Sequence, residues 1–290
     1  MADHKGIGTM NKKAILVFSV FAAGVLNAAG LKAPGYDNLI SHRGESADAP
    51  ENTLAAFKCA VDRGFGFECD IYLSKDKKLF AFHDSSLSRI TEGVNTQLCT
   101  NLSWEDTLSK LNVAGWGKWK GSKFDPCRPA LLSEILALAR DGRYIYVEIK
   151  GDNPSWVPYI KRELEAAENA TPENVLFITF SRKVAAQLKK AIPEYKTYLL
   201  ARVTRMGEET NDQIAERIIS ILKRLKVDGI DVFFNESIIT KEFVDKVKAA
   251  GFSVHVWTID TASVAKEAFA RGVDTLTTNR AKFILEQSLK

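Results

Sequence analysis

The chain has 290 residues, of which 46% are hydrophobic and 26% charged, and a formal net charge of +4 at pH 7. Lys5, Lys12 and Lys13 against Asp3 place +2 of that charge in the first 29 residues, leaving +2 for the rest. A near-neutral body without a basic run gives no support for nucleic acid as a partner.

The first ten residues carry no periodicity, and Met10 reads as a natural start. Asn11-Lys12-Lys13, the apolar run Ala14–Leu26 and the small residues Asn27-Ala28-Ala29-Gly30 predict a secretory leader over residues 1–29. The alternative is a buried N-terminal helix. At 13 residues the run is too short to span a bilayer comfortably, so no stable membrane insertion is expected. No cysteine near the cleavage site supports a lipid anchor. Cleavage near Gly30 would leave an exported or periplasmic domain of about 260 residues, 30–290. That is close to the ~250 residues of a (β/α)8 barrel.

Leu39-Ile40-Ser41 is a short apolar run that ends at His42-Arg43-Gly44. Leu54, Phe57, Ala60 and Val61 then repeat at helical spacing, with Asn52 or Thr53 as cap and Gly64 as stop. Phe67–Leu73 follows as a second strand, which makes a strand–helix–strand unit of parallel-sheet type. Side chains two apart on a strand share a face, so Glu68 and Asp70 point one way and Phe67, Cys69 and Ile71 the other. Paired carboxylates resist joint ionisation. A cation, a base or a shared proton would relieve them, or both acids simply face water.

The turn Ser74–Lys78 is too short for a parallel crossover. Leu79–Phe82 is therefore predicted to be the return arm of a hairpin that carries His83 back over the carboxylates. Residues 85–128 are poor in pattern and read as a small inserted subdomain after the second strand, a common place for long functional loops. Trp116 and Trp119 within it hold the insertion together, or one of them lines a pocket. Export would put four cysteines in an oxidising compartment. A disulfide between Cys99 and Cys127, which bracket this region, is expected or else both are free. Cys59 and Cys69 read as buried thiols that could approach each other, and no pair has zinc-ligand spacing.

From Pro129 the chain alternates: helix 131–140, strand Tyr144–Ile149, helix 156–168, strand 174–180, helix 181–191, strand 196–202, helix 211–226, strand 229–234, helix 240–250, strand 252–259, helix 261–271, strand 273–278. With the hairpin arm excluded the strands number eight, a single (β/α)8 TIM barrel. Glu148 and Lys150 again lie two apart at a strand end, where such barrels place their active sites. Glu68, Asp70 and Glu148 would offer oxygen ligands to a hard divalent cation, Mg²⁺ or Ca²⁺, rather than to zinc. Arg43 and Lys150 stand as spare positive groups that suit a phosphate.

His-Arg-Gly at 42–44, Ala-Pro-Glu-Asn-Thr at 49–53, Glu-x-Asp at 68–70, His-Asp at 83–84, Glu-Ile-Lys at 148–150, Thr179-Phe180 and Val256-Trp257-Thr258 together resemble the glycerophosphodiester phosphodiesterases. The resemblance covers about residues 38 to 285. It implies hydrolysis of small glycerophosphodiesters to sn-glycerol 3-phosphate and an alcohol, with one divalent cation on Glu68, Asp70 and Glu148. It also implies His42 as general base, His83 as general acid, and Arg43 and Lys150 against the phosphate. Phe180 and Trp257 would pack on the glycerol, or else serve barrel packing. Thr278-Asn279 departs from the Thr-Asp often found in the family and receives no role. Two alternatives remain: a phospholipase-D-like lyase that releases a cyclic phosphate, and a secreted binding protein without catalysis. Head group and oligomeric state are not encoded legibly.

Overall fold

A computed structural model describes residues 37–288. The predicted leader lies outside the described residues. Eight parallel strands close on themselves: β1 (Leu39–Ser41), β2 (Gly66–Leu73), β4 (Ile145–Ile149), β5 (Val175–Thr179), β6 (Thr197–Ala201), β7 (Gly229–Phe233), β8 (Ser253–Trp257) and β9 (Thr275–Thr278). Closure comes from β1, which pairs in parallel with both β2 and β9. The arm β3 (Leu79–Ala81) runs antiparallel to β2, with Ala81 opposite Ile71. It is outside the count of eight, as the short turn predicts. Helices α1 (Leu54–Asp62), α2 (Leu132–Leu136), α3 (Val157–Ala166), α4 (Arg182–Ala191), α5 (Asn211–Leu225), α6 (Lys241–Ala249), α7 (Ala262–Ala270) and α8 (Ala281–Ser288) surround the strands. None of the described helices is long and apolar enough to cross a membrane.

Alternation along the strands sorts the core into two parts. Ile40, Tyr146, Leu176, Ile178, Tyr198 and Leu200 pack together inside the barrel. Phe67, Cys69, Ile71 and Val147 belong to the larger core between strands and helices. Inside, Tyr146 Oη lies 2.9 Å from Thr275 Oγ1, and His255 Nδ1 lies 2.7 Å from the same hydroxyl. This polar layer closes the barrel floor beneath the carboxyl ends of the strands.

The first crossover shows why its motif has these residues. Thr53 caps α1 by accepting from Ala56 N at 3.3 Å, and Gly64 ends the turn beyond it at φ +84°. Gly44 has φ +77°, and a Cβ there would lie 2.5 Å from the carbonyl carbon of Ala56. Only glycine lets α1 approach the end of β1 so closely.

Helix α2 is shorter than the expected 131–140. After Leu136 the bonds tighten to i→i−3 (Leu138 to Ile135, Ala139 to Leu136), and Gly142 at φ +72° turns the chain towards β4. Residues 85–128 contain only three short 3-10 turns. They bury Leu87, Cys99, Trp104 and Leu108 in the core shared with β3, and Trp104 packs 6.1 Å from Phe80. Both tryptophans in question make contacts within the insertion. Trp116 Nε1 donates to Val113 O at 3.1 Å, and Trp119 meets Phe124 edge-on at 5.6 Å.

The expected Cys99–Cys127 disulfide is absent, and all four cysteines are free. The two thiols lie in different environments: Cys99 Sγ faces the carbonyl of Asp84 at 3.6 Å, and Cys127 Sγ that of Arg128 at 3.8 Å. Sequence spacing alone cannot place two Cβ vectors face to face.

Asp76, in the hairpin turn, fastens the insertion to the barrel. Its carboxylate accepts from Ser74 Oγ at 2.6 Å, Ser103 Oγ at 2.9 Å, Trp104 N at 2.8 Å and Glu105 N at 3.2 Å. Burial alone would raise its pKa, but these donors together hold it below the usual carboxylate range. Asp76→Ala should therefore lower unfolding free energy in urea by about 1–2 kcal/mol at pH 7. Because the folded-state pKa is depressed, the gap to wild type should be full above the unfolded pKa and close as pH falls through the folded one. A gap that persists undiminished into strong acid would contradict the capping role.

Candidate active site

At the carboxyl ends of the strands, a cavity of about 340 Å³ is lined by His42, Arg43, Glu68, His83, Glu148, Lys150, Phe180 and Trp257, among others. Asp70 is fully buried immediately beneath. All nine residues singled out by the sequence thus meet at one mouth. A larger surface groove beside Lys77, Tyr159 and Arg162 gathers no comparable group.

The acids are brought together by register. Asp70 on β2 pairs with Glu148 on β4, and Glu68 lies one inward position below. Carboxyl oxygens of the three lie within 4.8 Å of one another. At that distance two full charges repel by about 3–4 kcal/mol at an effective dielectric of ~20. Burial, then the neighbouring Asp70 and Glu148, pushes Glu68 well above the ordinary glutamate range. Burial and Asp70 raise Glu148 to about 7, against the pull of Lys150. Asp70 goes the other way: burial alone would raise it, but Lys150 and Arg43 hold it low.

Arg43 and Lys150 are not the spare cations that the sequence suggested. Lys150 Nζ lies 2.9 Å from both Asp70 Oδ1 and Glu148 Oε1. Arg43 reaches Glu51 at 3.0 Å and Asp70 at 3.4 Å, and its backbone N donates to Glu68 Oε2 at 2.9 Å. Acids buried so closely recruit whatever cations are within reach. Even so, Glu68 Oε1 is buried without a hydrogen-bond donor. An orphaned oxygen within an all-oxygen cluster fits a hard divalent cation.

Both histidines are oriented through Nδ1. Asp84 Oδ1 accepts from His83 Nδ1 at 2.7 Å, and Asn279 Oδ1 accepts from His42 Nδ1 at 2.7 Å. The Asn279 amide cannot be turned over, because its Nδ2 donates to Asp260 Oδ2 at 2.7 Å. Each imidazole therefore carries its proton on Nδ1 and leaves Nε2 for chemistry. Burial, reinforced by Arg43, lowers the His42 pKa to about 4, so it is neutral at pH 7. Burial lowers His83 too, although the Asp70 charge and the Asp84 bond oppose the shift.

Sequence reasoning missed several of these partners. Arg89 Nε donates to Asp84 Oδ2 at 2.5 Å, and its Nη2 donates to Glu51 Oε1 at 2.6 Å. It thereby joins the carboxylate behind His83 to the one behind Arg43. Asn52, at φ +56°, donates to Asp70 Oδ2 at 2.7 Å and accepts from Asp70 N at 3.1 Å. The Pro-Glu-Asn stretch was a signal for Glu51 and Asn52, and Asn279 stood out only as a departure from Thr-Asp and was given no role; nothing local marks Asp260.

Phe180 and Trp257 meet edge-on at 5.8 Å on the opposite wall, and Phe180 is 50% exposed. Both line the cavity, and Trp257 also packs against the cluster inside the barrel.

A model of the glycerophosphoryl diester phosphodiesterase family matches residues 42–282. A glycerophosphodiester phosphodiesterase of Caldanaerobacter subterraneus subsp. tengcongensis is 29% identical over 83% of this chain and 93% of its own. One from Bacillus subtilis is 23% identical over 93% and 96%. An Oleispira antarctica phosphodiesterase, solved with the product sn-glycerol-3-phosphate, superposes with a TM-score of 0.72. It is 25% identical and covers 87% of this chain and 96% of that one.

If Asn279 sets the His42 tautomer, Asn279→Leu should lower kcat/KM by about tenfold or more while leaving the folded state intact. Full activity in that variant, with an unchanged thermal midpoint, would show that the bond does no orienting.

Proposed function

Because the chain belongs to the glycerophosphoryl diester phosphodiesterase family, we propose that this cavity hydrolyses glycerophosphodiesters to sn-glycerol 3-phosphate and an alcohol. The chain is a phosphodiester hydrolase by that membership. Residue roles, metal and products are our reading. The observation that carries it is the convergence of three buried carboxylates, two Nδ1-anchored imidazoles and two cationic side chains around one cavity.

Glu68, Asp70 and Glu148 would hold one divalent cation, Mg²⁺ or Ca²⁺, which supplies charge stabilisation at a phosphoryl oxygen. Neutral His42 would take a proton at Nε2 from the attacking nucleophile. His83 would deliver one from Nε2 to the departing alkoxide, with Asp84 stabilising its charged form. Arg43 and Lys150 would counter the phosphate's charge in a partly dry site, where fixed charges have their greatest effect. Phe180 and Trp257 would pack against the glycerol carbons. The apolar run before Gly30 supports export of the mature chain.

Chelation should abolish turnover and added Mg²⁺ or Ca²⁺ restore it; full activity after exhaustive chelation would remove the assigned cluster from the mechanism. The two histidines should separate by leaving group. On glycerophosphocholine His83→Ala should lose most of the ~10²–10⁴-fold that general acid catalysis supplies. On a p-nitrophenyl diester, whose phenolate hardly needs a proton, that deficit should shrink sharply, whereas His42→Ala should stay impaired on both. Equal losses for His83→Ala would refute its acid role, and rescue of His42→Ala would reverse the two assignments. Phosphorus NMR should report a monoester, since a five-membered cyclic product resonates elsewhere. Intact mass of exported protein should place the new N-terminus near Gly30; a product that retains Met10–Ala29 would refute the leader.

A further inference from the structure

The cavity has two walls of different character. The wall made by β1, β2, β4 and the hairpin arm carries the acids, the histidines, Arg43 and Lys150, and each of those two cations is ion-paired with carboxylates. The wall made by β5 to β8 is largely aromatic, carries one buried acid, Asp231 on β7, and contributes one further cation, Arg202.

Arg202 follows β6 directly. Tyr198 and Leu200 point into the barrel, so the alternation brings Arg202 to the same side at the rim. Its guanidinium carbon lies 4.6 Å from the ring centre of Phe233 and 4.9 Å from that of Trp257. Trp257 is itself held by Phe180 and Phe233 edges, and its Nε1 donates to Asp231 O at 3.2 Å. A guanidinium held against two rings is positioned without using its N–H donors, which stay available for an anion. Among the described residues no carboxylate pairs with it. In the proposed function Arg43 and Lys150, on the opposite wall beside the acids, would counter the one negative charge of a scissile phosphodiester. Arg202 is a further cation beyond them.

We propose that Arg202 is a specificity residue that receives a second anionic group, a phosphate or a carboxylate, on the glycerophosphodiester substrate. The planar fork of arginine matches either group through paired N–H donors. This proposal rests on the phosphodiesterase reading and adds a substrate class to it: diesters with a second negative charge beyond the scissile phosphate.

The test compares matched substrates in wild type and Arg202→Gln. Glycerophosphoinositol and glycerophosphoinositol 4-phosphate differ by one phosphate; glycerophosphoethanolamine and glycerophosphoserine differ by one carboxylate. In wild type the more anionic member of at least one pair should have the higher kcat/KM, mainly through KM. In Arg202→Gln that ratio should fall about tenfold, and Arg202→Lys should recover part of it. Raised salt should weaken the preference in wild type more than in Arg202→Gln. The pair that responds identifies phosphate or carboxylate as the anion. Ratios unchanged by Arg202→Gln in both pairs, with turnover intact, would overturn this proposal alone. No turnover of any of the four by wild type would overturn the phosphodiesterase reading and this proposal with it.

Discussion

Three carboxylates buried within 4.8 Å of one another are the constraint on which the rest of this structure depends. Such a cluster is unfavourable unless opposite charge or protons offset it. Lys150 and Arg43 supply part of that offset, and the raised pKa values of Glu68 and Glu148 mark the negative charge that those two cations leave unbalanced. The barrel gives what a loop would not: the β2–β4 register that sets Asp70 against Glu148 is fixed by five consecutive residue pairs. A site under this electrostatic load has to be built on rigid elements.

Around the acids, orientation is achieved through partners far from the cavity centre. His42 depends on Asn279 and, through it, on Asp260, so the end of β9 and the turn after β8 set the protonation of a residue after β1. His83 depends on Asp84, and Arg89 links that carboxylate to Glu51 and hence to Arg43. Arg89 also lies 4.8 Å over the Trp116 ring, which belongs to the insertion. The irregular segment 85–128 thus contributes to the site by holding a bridging arginine, although neither Trp116 nor Trp119 lines the cavity.

What could be read from the chain were the features with short-range causes. Period-two alternation put Glu68 and Asp70 on one face, the five-residue turn identified β3 as a hairpin arm, and apolar periodicity located eight strands. Features that depend on closure could not be read. Asn279 and His42 are 237 positions apart, and only the β1–β9 pairing brings them together. Arg43 and Lys150 looked uncommitted because a sequence does not show that carboxylates bury beside them. The Cys99–Cys127 disulfide failed for the same reason, since bracketing one region says nothing about where each thiol points. Helix α2 stopped early because its last turn tightened, an outcome that periodicity does not register.

The claim that the acid cluster is a cation site is tested most directly by stability, independently of turnover. Thermal unfolding of the mature chain should be followed as Mg²⁺ or Ca²⁺ is titrated after exhaustive chelation. A cation that binds only the folded state raises stability by about 2.7 kcal/mol at a hundredfold excess over its Kd. The account predicts a midpoint that climbs with the logarithm of cation concentration in wild type and stays flat in Glu148→Gln. A wild-type midpoint insensitive to either cation, or one that rises equally in Glu148→Gln, would contradict it.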